Sequence, residues 1–193
     1  EVIVGDVADR TKLATALGDV DGCFHLAAVA SVERCTRDWA GSHRVNLTGT
    51  IAVFEAAAER RVPVVYTSSA AVFGSTDETP LRETSATAPM SAYGADKLGC
   101  ELHARVAGLV YKVPTAGIRP FNVYGPRQDP SSPYSGVISL FCRLVAEGKT
   151  LTINGDGQQV RDFVYVDDVA RAFIAAMDRA STEARVYCVC TGH

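Results

Sequence analysis

Residues 62–69 have the sequence VPVVYTSS, a short apolar run that ends in hydroxyl side chains. A strand that is apolar on both faces is typical of a parallel sheet with helices packed on both sides. Sheets of this kind bind their ligands at the carboxyl ends of the strands. The stretch therefore predicts a central strand of an α/β sheet, with Ser68 and Ser69 at the ligand-binding edge.

Similar runs alternate with helical stretches along the rest of the chain, which favours βα units and a parallel sheet. The length of 193 residues suits one domain with at most a small appendage. The predicted strands are Val2–Val4, Cys23–Ala27, Val62–Thr67, Thr115–Arg119, Leu151–Ile153, Asp162–Val166 and Val186–Val189. The predicted helices are Arg10–Leu17, Ser42–Arg60, Ala92–Tyr111, Val137–Glu147 and Asp168–Arg179.

The composition is that of an ordinary globular protein, with 47% hydrophobic and 21% charged residues. The formal net charge is −3 without any block of like charges, which argues against a nucleic-acid-binding surface. No apolar run reaches the roughly eighteen residues of a membrane span, so none is predicted. The segment Glu1–Gly5 lacks the basic and apolar regions of a signal peptide.

The six cysteines predict free thiols rather than disulfides or a metal site. None forms a CxxC pair, and no Cys/His cluster has the spacing of zinc ligands. Cys188 and Cys190 lie two positions apart in a strand-like run, so their side chains point to the same face and are poor disulfide partners. Free thiols are typical of a reducing compartment, and we therefore expect a cytoplasmic protein without a bound metal.

Residues 121–136 differ from the rest of the chain because they are rich in Pro, Gly, Ser and Asp and too long for a tight turn. Long ordered loops after a parallel strand commonly carry ligand contacts. We interpret this stretch as the start of a substrate-binding lobe. A solvated surface loop is the alternative interpretation.

Tyr93 and Lys97 lie four positions apart in a predicted helix and therefore on one face of it. A tyrosine is a poor base at neutral pH, because its unperturbed pKa is about 10. A nearby ammonium group stabilises the phenolate, which predicts a lowered pKa for Tyr93 and a role as general base. The spacing by itself also fits an exposed helical pair.

Ser69 precedes Tyr93 by 24 positions, which leaves room for a loop that returns to the same edge of the sheet. Its hydroxyl is suited to bond a sugar hydroxyl or a nicotinamide amide. A strand exit that is merely rich in Ser and Thr is the alternative interpretation.

Four motifs follow one another in an order that resembles a known family. They are SSAAVFG at 68–74, YGADK at 93–97, RPFNVYGPRQDP at 119–130 and GDGQQVRDF at 155–163. Together they resemble the NAD-dependent epimerase/dehydratase family of extended short-chain dehydrogenases, over essentially the whole chain. The resemblance implies a Rossmann-like, doubly wound parallel sheet that lacks its first two strands. It also implies a partial NAD-binding domain at 1–120, part of a small substrate-binding lobe at 121–160, and a return to the first domain at 161–193.

The resemblance further implies a catalytic set, NAD as cofactor and a UDP-sugar as substrate. Tyr93 would take the proton of the sugar 4-hydroxyl while C4 gives a hydride to NAD. Ser69 would bond the same oxygen and relay the proton, and Lys97 would bond the nicotinamide ribose and hold the pKa of Tyr93 down. For epimerisation, the 4-keto sugar would turn over and take the hydride back on its other face.

Other matches imply binding residues. Asp6 matches a carboxylate that holds the adenine amino group, and Asn46 matches an asparagine that braces the active-site backbone. Asn122 and Arg161 match positions that contact the nucleotide diphosphate. The implied cofactor-binding residues are Asp6, Val7, Leu26, Ala27, Ala28, Asn46, Ser68, Tyr93, Lys97 and Pro120, and the implied substrate-binding residues are Ser31, Ser69, Asn122 and Arg161.

Several of these residues have a structural alternative. Asp6 could cap the helix that follows it. Asn46 could be purely structural, and Arg161 could form a surface ion pair with a nearby aspartate. His25 stands in an apolar strand, where a satisfied core histidine is the usual case, and we assign it no role.

The residues after Ser69 favour epimerisation over elimination. Ala70 and Ala71 stand where related 4,6-dehydratases carry an Asp-Glu pair, so the acid and base for water removal are missing at these positions. The asparagine at position 122 resembles the residue that hexose and N-acetylhexosamine epimerases have there more than the residue that glucuronate epimerases have. We therefore favour a UDP-glucose or UDP-N-acetylglucosamine 4-epimerase, and the sequences at 127–130 and 134–137 favour the N-acetyl branch. The alternatives are another nucleotide-sugar enzyme of the family, an oxidoreductase that releases reduced cofactor, and an inactive fragment.

The sequence departs from the family at its start. Gly5 is the only glycine before Gly18, so the glycine-rich turn that binds the cofactor pyrophosphate is missing. By resemblance the chain begins at the third strand, which would leave Val2–Val4 without a partner in the sheet. We expect the 193 residues alone to bind NAD poorly, and micromolar binding would contradict this expectation.

Relatives in the family commonly dimerise by packing two helices from each copy into a four-helix bundle. Ser42–Arg60 and Ala92–Tyr111 have apolar faces that permit this packing, although core packing alone would give the same pattern. The resemblance therefore implies a homodimer.

Overall fold

The computed structural model describes residues 1–130 and 136–192. The strands are β1 (Cys23–His25), β2 (Val64–Thr67), β3 (Thr115–Pro120), β4 (Asn122–Tyr124), β5 (Phe163–Tyr165) and β6 (Arg185–Val189). The main sheet is parallel throughout, in the order β1-β2-β3-β6, and β4 pairs with β5 in a separate parallel sheet. The parallel α/β architecture predicted from the sequence is therefore confirmed.

Helices cover both faces of the main sheet. They are α1 (Arg10–Leu17), α2 (Val32–Arg37), α3 (Trp39–His43), α4 (Gly49–Ala58), α5 (Ala92–Tyr111), α6 (Val137–Ala146) and α7 (Val166–Met177). A π-helical turn at Arg44–Thr48 joins α3 to α4, and a 3₁₀ turn at Ala70–Val72 follows β2. α4 and α5 pack on one face, and α7 packs on the other. Among the described residues, no helix has the length and apolar character that would carry it across a bilayer.

The position of β2 between two helical layers explains why its side chains are apolar on both faces. Val64 and Tyr66 pack with Phe54 in the core under α4 and α5, and Val65 packs with Phe173 in the core under α7. The rings of Phe54 and Tyr66 meet edge to face, with centroids 5.5 Å apart. The three β2 side chains are fully buried, as the continuous apolar run predicts.

Two predicted strands do not form. Val2–Val4 pairs with no strand among the described residues, and its side chains are exposed. Leu151 and Ile153 are also exposed and precede turns in which Gly155 and Gly157 adopt positive φ. The lack of a partner at Val2–Val4 agrees with what the resemblance implied. At Leu151–Ile153 the prediction was based on apolar residues alone, whereas a strand needs a neighbour that satisfies its backbone hydrogen bonds.

The helix predicted over Ser42–Arg60 is divided by the π-helical turn into α3 and α4. The structure also adds α2, the 3₁₀ turn and β4, each too short to give a clear periodic pattern. Residues 131–135 of the loop predicted over 121–136, and with them part of the 134–137 motif, lie outside the described residues.

Candidate active site

Ser69 and Tyr93 meet at the carboxyl end of β2. Ser69 leaves the strand in an extended conformation and accepts a hydrogen bond from Ala71 N (3.1 Å), which starts the 3₁₀ turn. Tyr93 lies in the first turn of α5, where Ser91 Oγ caps the helix by accepting from Gly94 N (3.0 Å). The Ser69 hydroxyl lies close enough to the Tyr93 phenol to lower its pKa. The structure therefore brings together the two hydroxyls that the sequence predicts to act as a pair.

The glycine of the YGADK motif makes this approach possible. A Cβ atom at Gly94 would lie 2.6 Å from the carbonyl oxygen of Ala71, well inside van der Waals contact. The start of α5 can therefore rest on the 3₁₀ turn only because residue 94 has no side chain.

Lys97 lies one turn further along α5 and is almost fully buried. Its Nζ donates to Thr67 O (2.7 Å) and lies 5.8 Å from the centroid of the Tyr93 ring. Burial lowers the pKa of Lys97. The ammonium group ties α5 to the end of β2, and within the described part of the chain two of its three N–H donors remain for other partners.

The predicted lowering of the Tyr93 pKa is wrong for this structure. Burial raises the pKa of Tyr93, and its interaction with Ser69 opposes this effect without cancelling it. Lys97 does not offset this effect, since its Nζ donates to Thr67 O and lies 5.8 Å from the centroid of the Tyr93 ring. Tyr93 is therefore a neutral phenol at neutral pH.

Asn46 braces the segment that follows β1. Its Oδ1 accepts from Val29 N (2.7 Å), and its Nδ2 donates to Val29 O (3.2 Å). Asn46 is fully buried within the π-helical turn, a feature that is frequent at functional sites. The two bonds fix the backbone next to Leu26, Ala27 and Ala28, which the sequence predicts to lie along the cofactor.

His25 is a neutral, hydrogen-bonded histidine of the core, in agreement with the interpretation from sequence. Its Nε2 lies 2.9 Å from Thr50 Oγ1. The Thr50 hydroxyl donates to Asn46 O (2.6 Å), so His25 Nε2 must be the donor, which fixes the tautomer. Burial, together with the charge of Lys97, lowers the pKa of His25 to about 4.

The low pKa of His25 predicts a loss of stability in acid. Between about pH 6.5 and pH 4 the unfolded chain binds a proton at this position that the folded chain does not bind, so stability falls as the pH falls. From pH 8 to pH 5 we expect His25 to remove about 2 kcal/mol from the free energy of unfolding. Urea unfolding of the wild type and His25→Gln at both pH values measures it. An equal pH dependence in the two proteins would contradict the assignment.

The carboxylate of Asp6 is exposed and accepts two hydrogen bonds. Its Oδ1 accepts from Ala8 N (2.8 Å), and its Oδ2 accepts from Arg44 Nη1 (2.6 Å). The bond to Ala8 and, next, the bond to Arg44 lower the pKa of Asp6. The alternative that Asp6 caps the following helix is wrong, because the cap of α1 is Asp9, whose carboxylate accepts from the first-turn amides.

The remaining predicted cofactor residues have different surroundings. Val7 packs against the core under α4, Leu26 is 59% exposed after β1, and Pro120 ends β3. The hydroxyl of Ser68 is fully buried and donates to Glu101 Oε1, so its side chain points away from the sheet edge where Ser69 lies. Ser68 can therefore contact a cofactor only through its backbone.

The sequence reasoning missed Glu101 and Arg119. Their side chains are 7% and 5% exposed, and they form a bidentate ion pair, with Nε–Oε1 at 2.8 Å and Nη2–Oε2 at 2.7 Å. A signal was available, because Glu101 follows Lys97 by one helical turn and Arg119 interrupts the apolar run of a buried strand. Opposite charges in two buried elements predict a pair.

A cleft of about 1050 Å³ lies next to the Ser69–Tyr93 pair. Ala70 and Ala71 form part of its wall, and the exposed Arg161 forms part of the opposite lining. The guanidinium of Arg161 donates to Val160 O (2.7 Å). The cleft therefore has a cation in its lining, and its wall includes the residues that directly follow Ser69 and residues shortly before Tyr93 in the chain.

The two other predicted substrate residues, Asn122 and Ser31, make hydrogen bonds within the protein. Asn122 Nδ2 donates to Asp162 O (2.8 Å), which holds β4 against the start of β5. Ser31 is buried and caps α2 by accepting from Arg34 N (3.0 Å), while its neighbour Val32 lines the cleft. The Ser31 side chain thus has a structural role in the described protein.

The thiols and acidic groups show no sign of a metal centre. All six cysteines are free. Within residues 1–130 and 136–192, no group of three or more His, Cys, Asp or Glu side chains is arranged to hold a metal ion.

Known proteins are similar to this chain in both sequence and structure. Residues 1–190 match the family described as "NAD dependent epimerase/dehydratase family". A UDP-glucose 4-epimerase of Mycolicibacterium smegmatis is 41% identical over 155 residues, which cover 79% of this chain and 49% of that protein. A UDP-N-acetylglucosamine 4-epimerase from Methanobrevibacter ruminantium, solved with UDP-N-acetylmuramic acid, superposes with a TM-score of 0.93 at 36% identity. The alignment covers 99% of this chain and 61% of that one.

Relatives with other reactions are also similar. A UDP-N-acetyl-alpha-D-glucosaminuronate decarboxylase of Bacillus cytotoxicus is 31% identical over 191 residues, which cover 92% of this chain and 56% of that protein. The chain thus spans about half the length of the curated relatives that it matches.

Proposed function

The chain belongs to the NAD-dependent epimerase/dehydratase family, and from this premise we propose that the protein is an NAD-dependent 4-epimerase of a UDP-sugar. The observation that carries the proposal is the pair of interacting hydroxyls of Ser69 and Tyr93, with Lys97 one turn further along α5. Ala70 and Ala71, which follow Ser69, lie in the wall of the cleft. This arrangement supports proton transfer at a sugar hydroxyl and offers no acid–base pair for elimination at those two positions.

The described residues fit the nicotinamide and adenine ends of NAD. Lys97 keeps two N–H donors in a buried position, and ribose hydroxyls are acceptors that would satisfy them. For the adenine end we propose the exposed carboxylate of Asp6, and for the cofactor backbone the segment after β1 that Asn46 braces. When bound, NAD would supply a hydride acceptor and a cationic nicotinamide ring.

The residues of the chain would handle the proton. Tyr93 is a neutral phenol in the free protein, so it becomes a base only when positive charge near its oxygen stabilises the phenolate. It would then accept the proton of the sugar 4-hydroxyl at its phenol oxygen. Ser69, whose hydroxyl already interacts with Tyr93, would bond the same sugar oxygen and relay the proton in both directions. Lys97 would hold the ribose and contribute positive charge on the same helix face.

The proposed substrate is UDP-glucose or UDP-N-acetylglucosamine. Arg161, exposed in the cleft, and Asn122 are the groups that we propose for the diphosphate, because guanidinium and amide N–H groups bond phosphate oxygens. The test is to incubate the natural protein with each UDP-sugar and identify the products by proton NMR. We expect inversion at C4 for at least one of them. A 4-keto-6-deoxy product, or no conversion of either sugar, would contradict the proposal.

We also propose that two copies associate through α4 and α5. The outer face of α5 exposes Leu102, Val106 and Leu109, which are apolar side chains at helical spacing. Sedimentation of the natural protein should give the mass of a dimer, and Val106→Glu should give a monomer. A wild-type protein that sediments as a monomer at micromolar concentration would contradict this proposal.

A further inference from the structure

Ser68, Glu101 and Arg119 form a buried polar cluster behind the proposed active site. Glu101 Oε1 accepts from the Ser68 hydroxyl and from Arg119 Nε, and Glu101 Oε2 accepts from Arg119 Nη2. Ser68 is fully buried, and less than a tenth of either charged side chain is exposed. Removing two charges from water is costly, so a cluster of this kind contributes more to defining one geometry than to stability.

The cluster joins three elements that carry the proposed active site. Ser68 directly follows β2, Glu101 lies in α5, and Arg119 lies near the end of β3. Arg119 also stacks on the ring of Phe73, with 4.8 Å between its Cζ and the ring centroid, and Phe73 directly follows the 3₁₀ turn. The strand end, the helix and the 3₁₀ turn are therefore held by one set of contacts.

The cluster is connected to the proposed catalytic residues through the chain. Ser68 is the neighbour of Ser69, and Glu101 follows Lys97 by one helical turn on the buried side of α5. Two ties connect α5 to the end of β2, namely Lys97 Nζ to Thr67 O (2.7 Å) and Ser68 Oγ to Glu101 Oε1. The first uses a residue that must also bind the cofactor, whereas the second lies wholly inside the protein.

We infer that the Ser68–Glu101–Arg119 cluster is a positioning device that fixes Ser69 relative to Tyr93. This inference rests on the proposed function of the Ser69–Tyr93 pair. Ser68, Glu101 and Arg119 are positioning residues, since their side chains contact one another and not the cleft.

Ser68→Ala tests the inference, because it removes the tie and leaves the ion pair in place. A displacement of about 1 Å can slow a reaction about 100-fold, so we expect turnover to fall about tenfold, with KM changed by less than about twofold. The matched control is Ser42→Ala, which also removes a buried serine hydroxyl. The Ser42 hydroxyl donates to the backbone carbonyl oxygen of Asp38 (2.7 Å). We expect this control to keep wild-type turnover.

A double variant separates positioning from general weakening. If Ser68 acts through Ser69, adding Ser68→Ala to Ser69→Ala should slow the reaction by no more than about twofold further, because residues that act as a unit are not additive. A full tenfold loss on top of Ser69→Ala, wild-type turnover in Ser68→Ala, or an equal loss in Ser42→Ala would overturn the inference.

Hydrogen exchange tests the same inference independently of the reaction. Ser68→Ala should speed the exchange of backbone amides in residues 68–73, including Ala71 N, which Ser69 Oγ holds at 3.1 Å. The Ser42→Ala control should leave this segment unchanged. Unchanged exchange in Ser68→Ala would overturn the positioning role whatever the protein catalyses, whereas faster exchange in a protein that does not invert C4 would contradict only the proposed function.

Discussion

Replacing Tyr93 with Phe is expected to lower turnover about a thousandfold, within the range that a positioned general acid–base contributes. The change removes the oxygen that interacts with Ser69 and would take the substrate proton, and it keeps the ring that packs near Lys97. Binding of the nucleotide sugar should change by less than about twofold, because the proposed diphosphate contacts lie on other elements. Steady-state turnover and isothermal titration with the UDP-sugar measure the two effects.

Tyr111→Phe is the matched control for this substitution. Tyr111 ends the same helix and is 59% exposed, so its hydroxyl is available to water and far along the chain from the Ser69 contact. The control should retain wild-type turnover. Retained turnover in Tyr93→Phe would remove the basis of the proposed mechanism.

Replacing Arg119 with Met is expected to give the largest loss of stability. It leaves the carboxylate of Glu101 buried with the Ser68 hydroxyl as its remaining partner in the cluster. Breaking a buried ion pair from one side typically costs about 3–5 kcal/mol, and we expect a decrease of this size in the free energy of unfolding at neutral pH. Equilibrium unfolding in urea measures it.

The double variant Glu101→Met with Arg119→Met tests the cause of that loss. An apolar pair of similar size carries no unpaired charge, so it should recover most of the stability lost in Arg119→Met. If the double variant is as unstable as the single one, the loss comes from packing and not from an uncompensated charge. That result would contradict the account of the cluster.

Much of the fold could be predicted from the sequence, and the reasons differ from element to element. The sequence at 62–69 predicted a buried central strand because its apolar residues occupy both faces, and the structure buries both. Val2–Val4 looked equally apolar, yet no strand pairs with it among the described residues. Local sequence identifies an element that is compatible with a strand, but the partner strand decides whether it forms.

The candidate site could be predicted in outline for a different reason. Tyr93, Lys97 and Ser69 stand in motifs that resemble the family, and their spacing leaves room for a return to one edge of the sheet, where the hydroxyls of Ser69 and Tyr93 interact. The pKa of Tyr93 could not be predicted from spacing, because it depends on burial and on where the Lys97 ammonium group points. Nor could the partner of Ser68, since its hydroxyl turns inward to a charge that lies 33 positions further along the chain.

Because burial raises the pKa of Tyr93, the free protein has a neutral phenol at its proposed active site. Before ligands bind, the site holds a neutral phenol, a neutral serine and one buried ammonium group. A phenolate is favoured only when further positive charge is present, so proton abstraction is linked to occupancy of the site.

A substrate labelled with deuterium at C4 tests most directly whether C4 is oxidised and reduced again within one active site. The natural protein should convert the labelled UDP-sugar to its C4 epimer with the deuterium retained at C4, and reduced cofactor should not accumulate in solution. Loss of the label to solvent, stoichiometric release of reduced cofactor, or a product with unchanged C4 configuration would contradict the account.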